Sequence, residues 1–195
     1  TFSKNNSGNT DLLKKLGQKK NVKVVVIDSV KDQNGEVISS TRVRKYIEDG
    51  NLSEATKLLG HYPIIAGEVV HGRKMARQMG FPTANLIFEN KVYPPFGVYG
   101  VYVKIEGDDN IYDGVMNLGK NPTLKPGELS VEVHILDFDR FIYGEKIIIY
   151  VLEKISDEIK FNEIDQLVEK IGNDVKYWKK KVKDEHGYTD KTRKF

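Results

Sequence analysis

Short apolar or alternating segments, separated by proline and glycine turns, fill residues 62–155 and constrain the fold more than any other feature. Turn signals such as Pro94-Pro95 and Asn121-Pro122 divide this stretch. A further strand-like run ends at Leu86-Ile87-Phe88. Five or six short strands at regular spacing, with few helices between them, predict a small antiparallel barrel. The other strand candidates are IIAGEVV, GVYGVYVKIE, IYDGVMNLG, LSVEVHILDF and EKIIIYVLEKI.

The segments on either side of the barrel have a different pattern. Residues 21–30, NVKVVVIDSV, form a continuous apolar run that is typical of a buried parallel strand. Residues 38–60 predict two short helices that divide at Gly50-Asn51. Because one parallel strand cannot form a sheet alone, residues 1–60 predict the end of an α/β domain whose beginning is missing. From Phe161 onward, apolar residues at helical spacing predict an amphipathic helix that packs on the barrel.

Composition and charge exclude several classes of protein. There are no cysteines, which excludes disulfides and thiolate metal sites. Residues 61–172 carry 12 Lys/Arg against 17 Asp/Glu, and the basic excess lies at the two ends of the chain. A nucleic-acid-binding core would concentrate positive charge where it binds, so nucleic acid is not expected as a partner. With no apolar run long enough to span a membrane, we expect a cytoplasmic protein without a membrane partner.

A basic loop followed by a proline turn is the first candidate site. Gly72 and Gly80 bracket a loop that contains Arg77, and glycines allow backbone amides to approach phosphates while cations offset their charge. A solvated hairpin loop is the simpler interpretation. The Thr83 hydroxyl, held after Pro82, can bind Mg²⁺ as a hard oxygen ligand. A threonine after proline is, however, usually just a turn residue.

The strand SVEVHILDF offers a candidate base. Its strict alternation places Val131, Val133 and Ile135 on one face, and Glu132 and His134 on the other. Most such glutamates face solvent. A carboxylate on a rigid strand near a metal–phosphate loop is nevertheless what a kinase needs to accept a hydroxyl proton. On the sequence alone, His134 is interpreted as structural.

Several motifs, in order along the chain, resemble one family. GEVVHG, GFPTANL, GVYGVYV, NLGKNPT and VEVHILDF with YGEKI closely resemble the bacterial riboflavin kinase module over roughly residues 60–185. The segments FSKNNSGN and ISSTRVR resemble the later half of the FMN adenylyltransferase module, which precedes the kinase in bifunctional FAD synthetase. The resemblance therefore implies residues 1–60 as a remnant of the adenylyltransferase and residues 61–195 as the kinase barrel with its C-terminal helix.

The resemblance also implies an activity and a set of site residues. The fold would be a six-stranded antiparallel Greek-key barrel that transfers the ATP γ-phosphate to the 5′-hydroxyl of riboflavin and so produces FMN. Glu132 would be the general base, and Thr83 would be a ligand of Mg²⁺. The remaining residues expected to bind ATP or the flavin are Gly72, Arg77, Gly80, Thr83, Asn85, Tyr143 and Phe161.

Three departures from the family pattern give further expectations. Ala76 stands where a glycine usually precedes Arg77, and Ser156 replaces an arginine of the flavin-side segment. The His-containing nucleotide motif of the adenylyltransferase is absent, so we expect FAD synthesis to be lost. Two alternatives to a riboflavin kinase stay open at this point. One is a non-catalytic flavin- or nucleotide-binding barrel, and the other is a residual adenylyltransferase.

Overall fold

The computed structural model describes residues 8–72, 80–89, 91–120, 129–159 and 163–186. The chain divides into two compact units, Thr1–Ile38 and Ser39–Phe195. The sequence predicted a boundary at residue 60 instead. Each unit is described by itself below.

The first unit contains one helix, α1 (Thr10–Lys19), among its described residues. The Asn9 side chain caps it by accepting a hydrogen bond from the Leu12 N–H at 2.8 Å. The strand predicted at residues 21–30 is wrong: the segment is irregular, and Ile27 is 89% exposed. A strand needs a neighbour for its N–H and C=O groups, and among the described residues this run meets one only at its end, where the Ile38 N–H donates to the Val30 carbonyl.

The second unit is built on a closed barrel of six antiparallel strands in the order β1-β2-β5-β4-β3-β6. Strands β3, β4 and β5 form a meander, and β2 lies beside β5, which makes β2 to β5 a Greek key. The predicted barrel is confirmed. The strands are β1 (Ile64–Val70), β2 (Ala84–Phe88), β3 (Gly97–Ile105), β4 (Ile111–Gly119), β5 (Ser130–Ile135) and β6 (Lys146–Ser156).

Strand β5 shows how alternation fills the barrel. Val131, Val133 and Ile135 are buried in the core cluster, together with residues of the other five strands. Glu132 and His134 are half-buried on the outer face. The predicted division of this strand into two faces is therefore confirmed.

Two short helices precede the barrel and belong to the same unit. Helix α2 (Ser40–Glu48) begins at Ser39, whose hydroxyl accepts a hydrogen bond from the Arg42 N–H at 3.3 Å. Helix α3 (Leu52–Leu59) follows the turn at Gly50, where φ is +76°. Leu52 is only 4% exposed and packs in the barrel core. These helices therefore contribute to the barrel.

The C-terminal helix α4 (Ile164–His186) covers the outer face of the barrel with the apolar stripe predicted from the sequence. Trp178, 2% exposed, lies flat on Gly100, where a Cβ would come within 2.4 Å of the indole ring. Beside it, Lys170 contacts the buried Asp174 and the Ser156 hydroxyl, with Nζ to Oγ at 2.6 Å. Ser156 therefore joins β6 to α4.

Candidate active site

The turn that leads into β2 is anchored from β5. The Nδ1 atom of His134 lies 2.8 Å from the Pro82 carbonyl oxygen. The Phe81 ring meets the His134 ring edge-on, with centroids 5.7 Å apart. Phe81 also packs against the apolar cluster beneath α4. Thr83, which is half-buried, directly follows these two anchored residues.

Asn85 is the most buried polar residue of this region, with 6% of its surface exposed. Its Oδ1 has no hydrogen-bond partner among the described residues. A Cβ on Gly72 would lie 2.3–2.8 Å from atoms of the Asn85 side chain, so a larger residue at position 72 would displace the Asn85 amide. Gly80, at the other end of the basic loop, has a φ of +86°, a conformation that favours glycine.

A cleft of about 230 Å³ opens between this turn and the loop that joins β5 to β6. It brings together four of the residues predicted for the site, Gly72, Thr83, Asn85 and Tyr143. The other lining residues are Val69, Pro82, Ala84, Val133, Ile135, Phe138, Asp139, Arg140, Phe141 and Ile142.

Glu132, the predicted base, is not among the residues that line this cleft: it lies on the outer face of β5, whereas Val133 and Ile135 line the cleft from the inner face. In the ladder it is directly opposite Asn85 on β2 and Asn117 on β4. Side chains that face one another in this way have Cβ atoms about 4.5–5.5 Å apart. Glu132 is half-buried and makes contacts with its surroundings. The structure thus forms a row of one carboxylate between two amides, and the sequence reasoning did not include Asn117.

An aromatic row at the cleft was also missed from the sequence. The His71 and Tyr143 rings stack with centroids 3.9 Å apart, and Phe141 lies 6.2 Å beyond Tyr143. Phe141 is 64% exposed, which is unusual for so large an apolar side chain. The only signal in the sequence was the closeness of Phe141 to Tyr143, because the partner His71 follows β1 and is far away along the chain.

Arg140 supplies a cation to the cleft wall. Its guanidinium lies 3.5 Å from carboxylate oxygens of both Asp108 and Glu145. A hydrogen bond from the Asn110 backbone N–H lowers the pKa of Asp108 below its usual value, and the Tyr112 hydroxyl and the Arg140 charge act in the same direction. Asp108 is therefore ionised at neutral pH, and it holds one side of Arg140.

Two of the predicted site residues, Arg77 and Phe161, lie outside the described residues. Their expected roles stay predictions.

The donor atoms in the cleft suit a hard cation bound with a polyphosphate. The Thr83 hydroxyl and the unpartnered Asn85 Oδ1 are oxygen donors of the kind that Mg²⁺ accepts. The cation would keep water and phosphate oxygens as its other ligands. No group of three or more His, Cys, Asp or Glu residues able to hold a metal occurs in the described ranges. The described residues thus fit a metal that takes two ligands from the protein and the others from water and phosphate.

No helix within the described ranges is both long enough and apolar enough to cross a membrane.

Comparison with known proteins places the barrel in a family. The family model described as "Flavokinase: Riboflavin kinase" matches residues 59–182. The chain is similar to the bifunctional riboflavin kinase/FMN adenylyltransferase of Haemophilus influenzae, with 41% identity over 71% of this chain and 44% of the relative. The protein of the same name from Buchnera aphidicola is 34% identical over 92% of this chain and 58% of its own length.

A solved structure also matches most of this chain but only about half of its own length. A crystal structure from Streptococcus pneumoniae, described as a macrolide-efflux protein, is 40% identical to the chain with a TM-score of 0.70. The match covers 85% of this chain and 54% of that one. The chain spans about half the length of the curated relatives that it matches. By its barrel, its motifs and the match over residues 59–182, the chain belongs to the riboflavin kinase family.

Proposed function

We propose that this chain transfers the γ-phosphoryl group of ATP to the 5′-hydroxyl of riboflavin, yielding FMN and ADP. The observation that carries the proposal is the pairing of Glu132 with Asn85 across the β2–β5 ladder, because Asn85 lines the same cleft as Thr83. A proton acceptor and a group of oxygen donors for a metal–nucleotide complex are thereby held on two hydrogen-bonded strands. A kinase needs both in one rigid frame.

Glu132 is proposed as the general base. An alcohol is a poor nucleophile at neutral pH, so a carboxylate within hydrogen-bond reach assists by accepting its proton as the bond to phosphorus forms. Glu132 stands on a strand that is paired on both sides, by β2 and by β4. This placement would hold the carboxylate still while the substrates bind.

Thr83 and Asn85 are proposed to hold the Mg²⁺ that accompanies ATP. The metal would neutralise charge on the phosphate oxygens, which is the main electrostatic demand of phosphoryl transfer. Burial of the Asn85 Oδ1 without a partner among the described residues supports this role, since such an atom gains a ligand when the complex binds.

The remaining residues are proposed to hold the substrates. Gly72 and Gly80 would let backbone amides close on the ATP phosphates, with Arg77 as a balancing cation. Tyr143, already stacked on His71, would offer an aromatic face to a bound ring. Phe161 is proposed to contact the flavin.

We also propose that these 195 residues make FMN but no FAD. The relatives named above combine the kinase with an FMN adenylyltransferase, and the chain spans about half of their length. In the first unit, the described residues contain one helix and an isolated bridge between Lys31 and Val37. One helix and one bridge are less than the sheet on which an α/β nucleotide site is built.

One assay tests these proposals together. The chain is incubated with riboflavin, ATP and Mg²⁺, and the flavins are separated by chromatography. FMN formation that depends on ATP and on the metal is the expected result, whereas binding of riboflavin without any product would identify a non-catalytic flavin-binding barrel. A second incubation with FMN and ATP should give no FAD, and FAD in that sample would identify a residual adenylyltransferase.

A further inference from the structure

We propose that His134 is a positioning residue of this site: its Nδ1–H holds the Pro82 carbonyl, so that β5 sets Thr83 and Glu132 in one frame. The inference rests on the proposed kinase function. It gives a role to a side chain that the sequence indicated only as structural.

The direction of the hydrogen bond follows from its partners. The Nδ1 atom lies 2.8 Å from the Pro82 oxygen, and a carbonyl oxygen can only accept, so Nδ1 must carry the proton. Pairing between β2 and β5 begins at Ala84, opposite Val133, so Pro82 lies beyond the ladder. The His134 side chain therefore holds the turn at Pro82, which the backbone hydrogen bonds between β2 and β5 do not hold.

The same strand also carries the proposed base. Glu132 and His134 are two residues apart on β5, so their side chains leave the same face of the sheet. One of them is the proposed proton acceptor, and the other holds the turn that presents Thr83. Strand β5, which is paired with β2 and with β4, thus fixes both the proposed proton acceptor and the turn that presents the proposed metal ligand. This spacing matters because a misplacement of about 1 Å can lower a rate by about 10²-fold.

A purely structural role for the histidine makes a different prediction. The His134 ring also packs edge-on against Phe81, which belongs to the cluster beneath α4. If this packing were the whole function, a phenyl ring at position 134 would replace it. If the hydrogen bond is the function, a donor at the position of Nδ1 is required, and the ring is not.

Two substitutions separate the ring from the donor. His134→Phe keeps an aromatic ring and removes the donor, whereas His134→Asn places an amide N–H close to the former Nδ1 and removes the ring. We expect His134→Phe to lower kcat/KM for MgATP by about 10-fold to 100-fold, within the range of such displacements. The Kd of riboflavin, measured by flavin fluorescence, should stay the same. His134→Asn should regain most of the loss.

A second histidine supplies a matched control. The Nδ1 atom of the exposed His61 lies 2.8 Å from the Tyr62 carbonyl oxygen, the same kind of contact at a residue that does not line the cleft. His61→Phe should therefore leave kcat and both KM values unchanged. Thermal unfolding shows whether each variant is folded, and His134→Leu replaces His134→Phe if the phenyl ring prevents folding.

The outcomes separate this inference from the proposed function. FMN formation by the unsubstituted chain tests the function, and its absence would remove the positioning role as well. With an active parent, unchanged kcat/KM in a folded His134→Phe or His134→Leu variant would overturn the positioning role alone. Equal losses in His134→Phe and His134→Asn would also overturn it, because restoring the donor would then restore nothing.

Discussion

At the scale of single residues, the pairing of strands determines which side chains of the site face one another. Glu132 is half-buried between Asn85 and Asn117, with Cβ atoms about 4.5–5.5 Å apart in such pairs. Amide groups can donate to a carboxylate and so fix its orientation without neutralising its charge. Such neighbours suit a base, because a proton acceptor must be held in one orientation towards the hydroxyl from which it takes the proton.

The first prediction concerns that carboxylate. Glu132→Gln keeps the shape and removes the proton acceptor, so kcat should fall by about 10²–10⁴-fold, the usual contribution of a positioned base. Riboflavin and ATP should bind almost as before, because neither interaction depends on that charge in the ground state. Steady-state kinetics and equilibrium binding measure the two effects separately. Glu106→Gln, which makes the same change at an exposed turn, is the control. Near-normal turnover in Glu132→Gln would remove the residue from catalysis.

The second prediction concerns the hydroxyl at the turn. Thr83→Val keeps the β-branched shape and removes the oxygen, so the affinity for MgATP should fall while the barrel stays folded. Thr83→Ser, which retains the oxygen, should bind MgATP almost as the parent does. Titration calorimetry with a non-hydrolysable ATP analogue and Mg²⁺ measures both variants. Equal affinities in Thr83→Val and the parent would show that the hydroxyl does not bind the metal.

At the scale of elements, local patterns predicted the structure wherever the determinants lie within one segment. Alternation in β5 and the turn residues between strands gave the barrel, because side-chain period and turn chemistry are local properties. The run at residues 21–30 has the same kind of apolar composition and is not a strand. Whether such a run forms a strand depends on a pairing partner, which no local pattern contains.

The site was predictable only in part for a related reason. The sequence predicted Thr83, Asn85 and Glu132 as site residues because they belong to recognisable motifs, and their roles stay predictions. Asn117 and His71 were missed, since they meet Glu132 and Tyr143 only through the pairing of strands and loops far apart in the sequence. A contact of this kind depends on register, and register is fixed by the closed barrel as a whole.

The third prediction concerns the start of β3. Burial, and to a smaller extent the Asp157 charge, raise the pKa of Tyr99 to about 12. The Tyr99 hydroxyl also donates a hydrogen bond to the Pro95 carbonyl. The folded state holds the proton of the Tyr99 hydroxyl more tightly than the unfolded state does. The contribution of this protonated hydroxyl to the free energy of unfolding is therefore complete below about pH 10, and it is lost as the pH rises towards 12.

The comparison of Tyr99 with phenylalanine isolates that contribution. Tyr99→Phe should be less stable than the parent at pH 8, because the hydrogen bond to Pro95 is lost. The difference between the two proteins should shrink between pH 10 and 12. Urea unfolding at several pH values measures it. A difference that stays constant across this range would contradict the raised pKa.

At the scale of the whole molecule, the division into units decides which part of the chain the site needs. The second unit begins at Ser39, so helices α2 and α3 belong with the barrel. Leu52 and Ala55 are both buried, and Leu52 packs with residues from the strands. The sequence had assigned these helices to the adenylyltransferase remnant, because a helical pattern does not show which surface its apolar face covers.

The fourth prediction follows from this packing. A chain that starts at Ser39 should make FMN at the rate of the full chain, whereas a chain that starts at His61 should be less stable, because it exposes the barrel surface beneath Leu52. The single substitution Leu52→Ala should already cost about 2–5 kcal/mol, as buried leucines usually do. Leu16→Ala, at a side chain that is 48% exposed, is the control and should have little effect. Chemical unfolding and the FMN assay are measured on all four proteins. If the chain that starts at His61 is as stable and as active as the one that starts at Ser39, α2 and α3 are dispensable for the kinase.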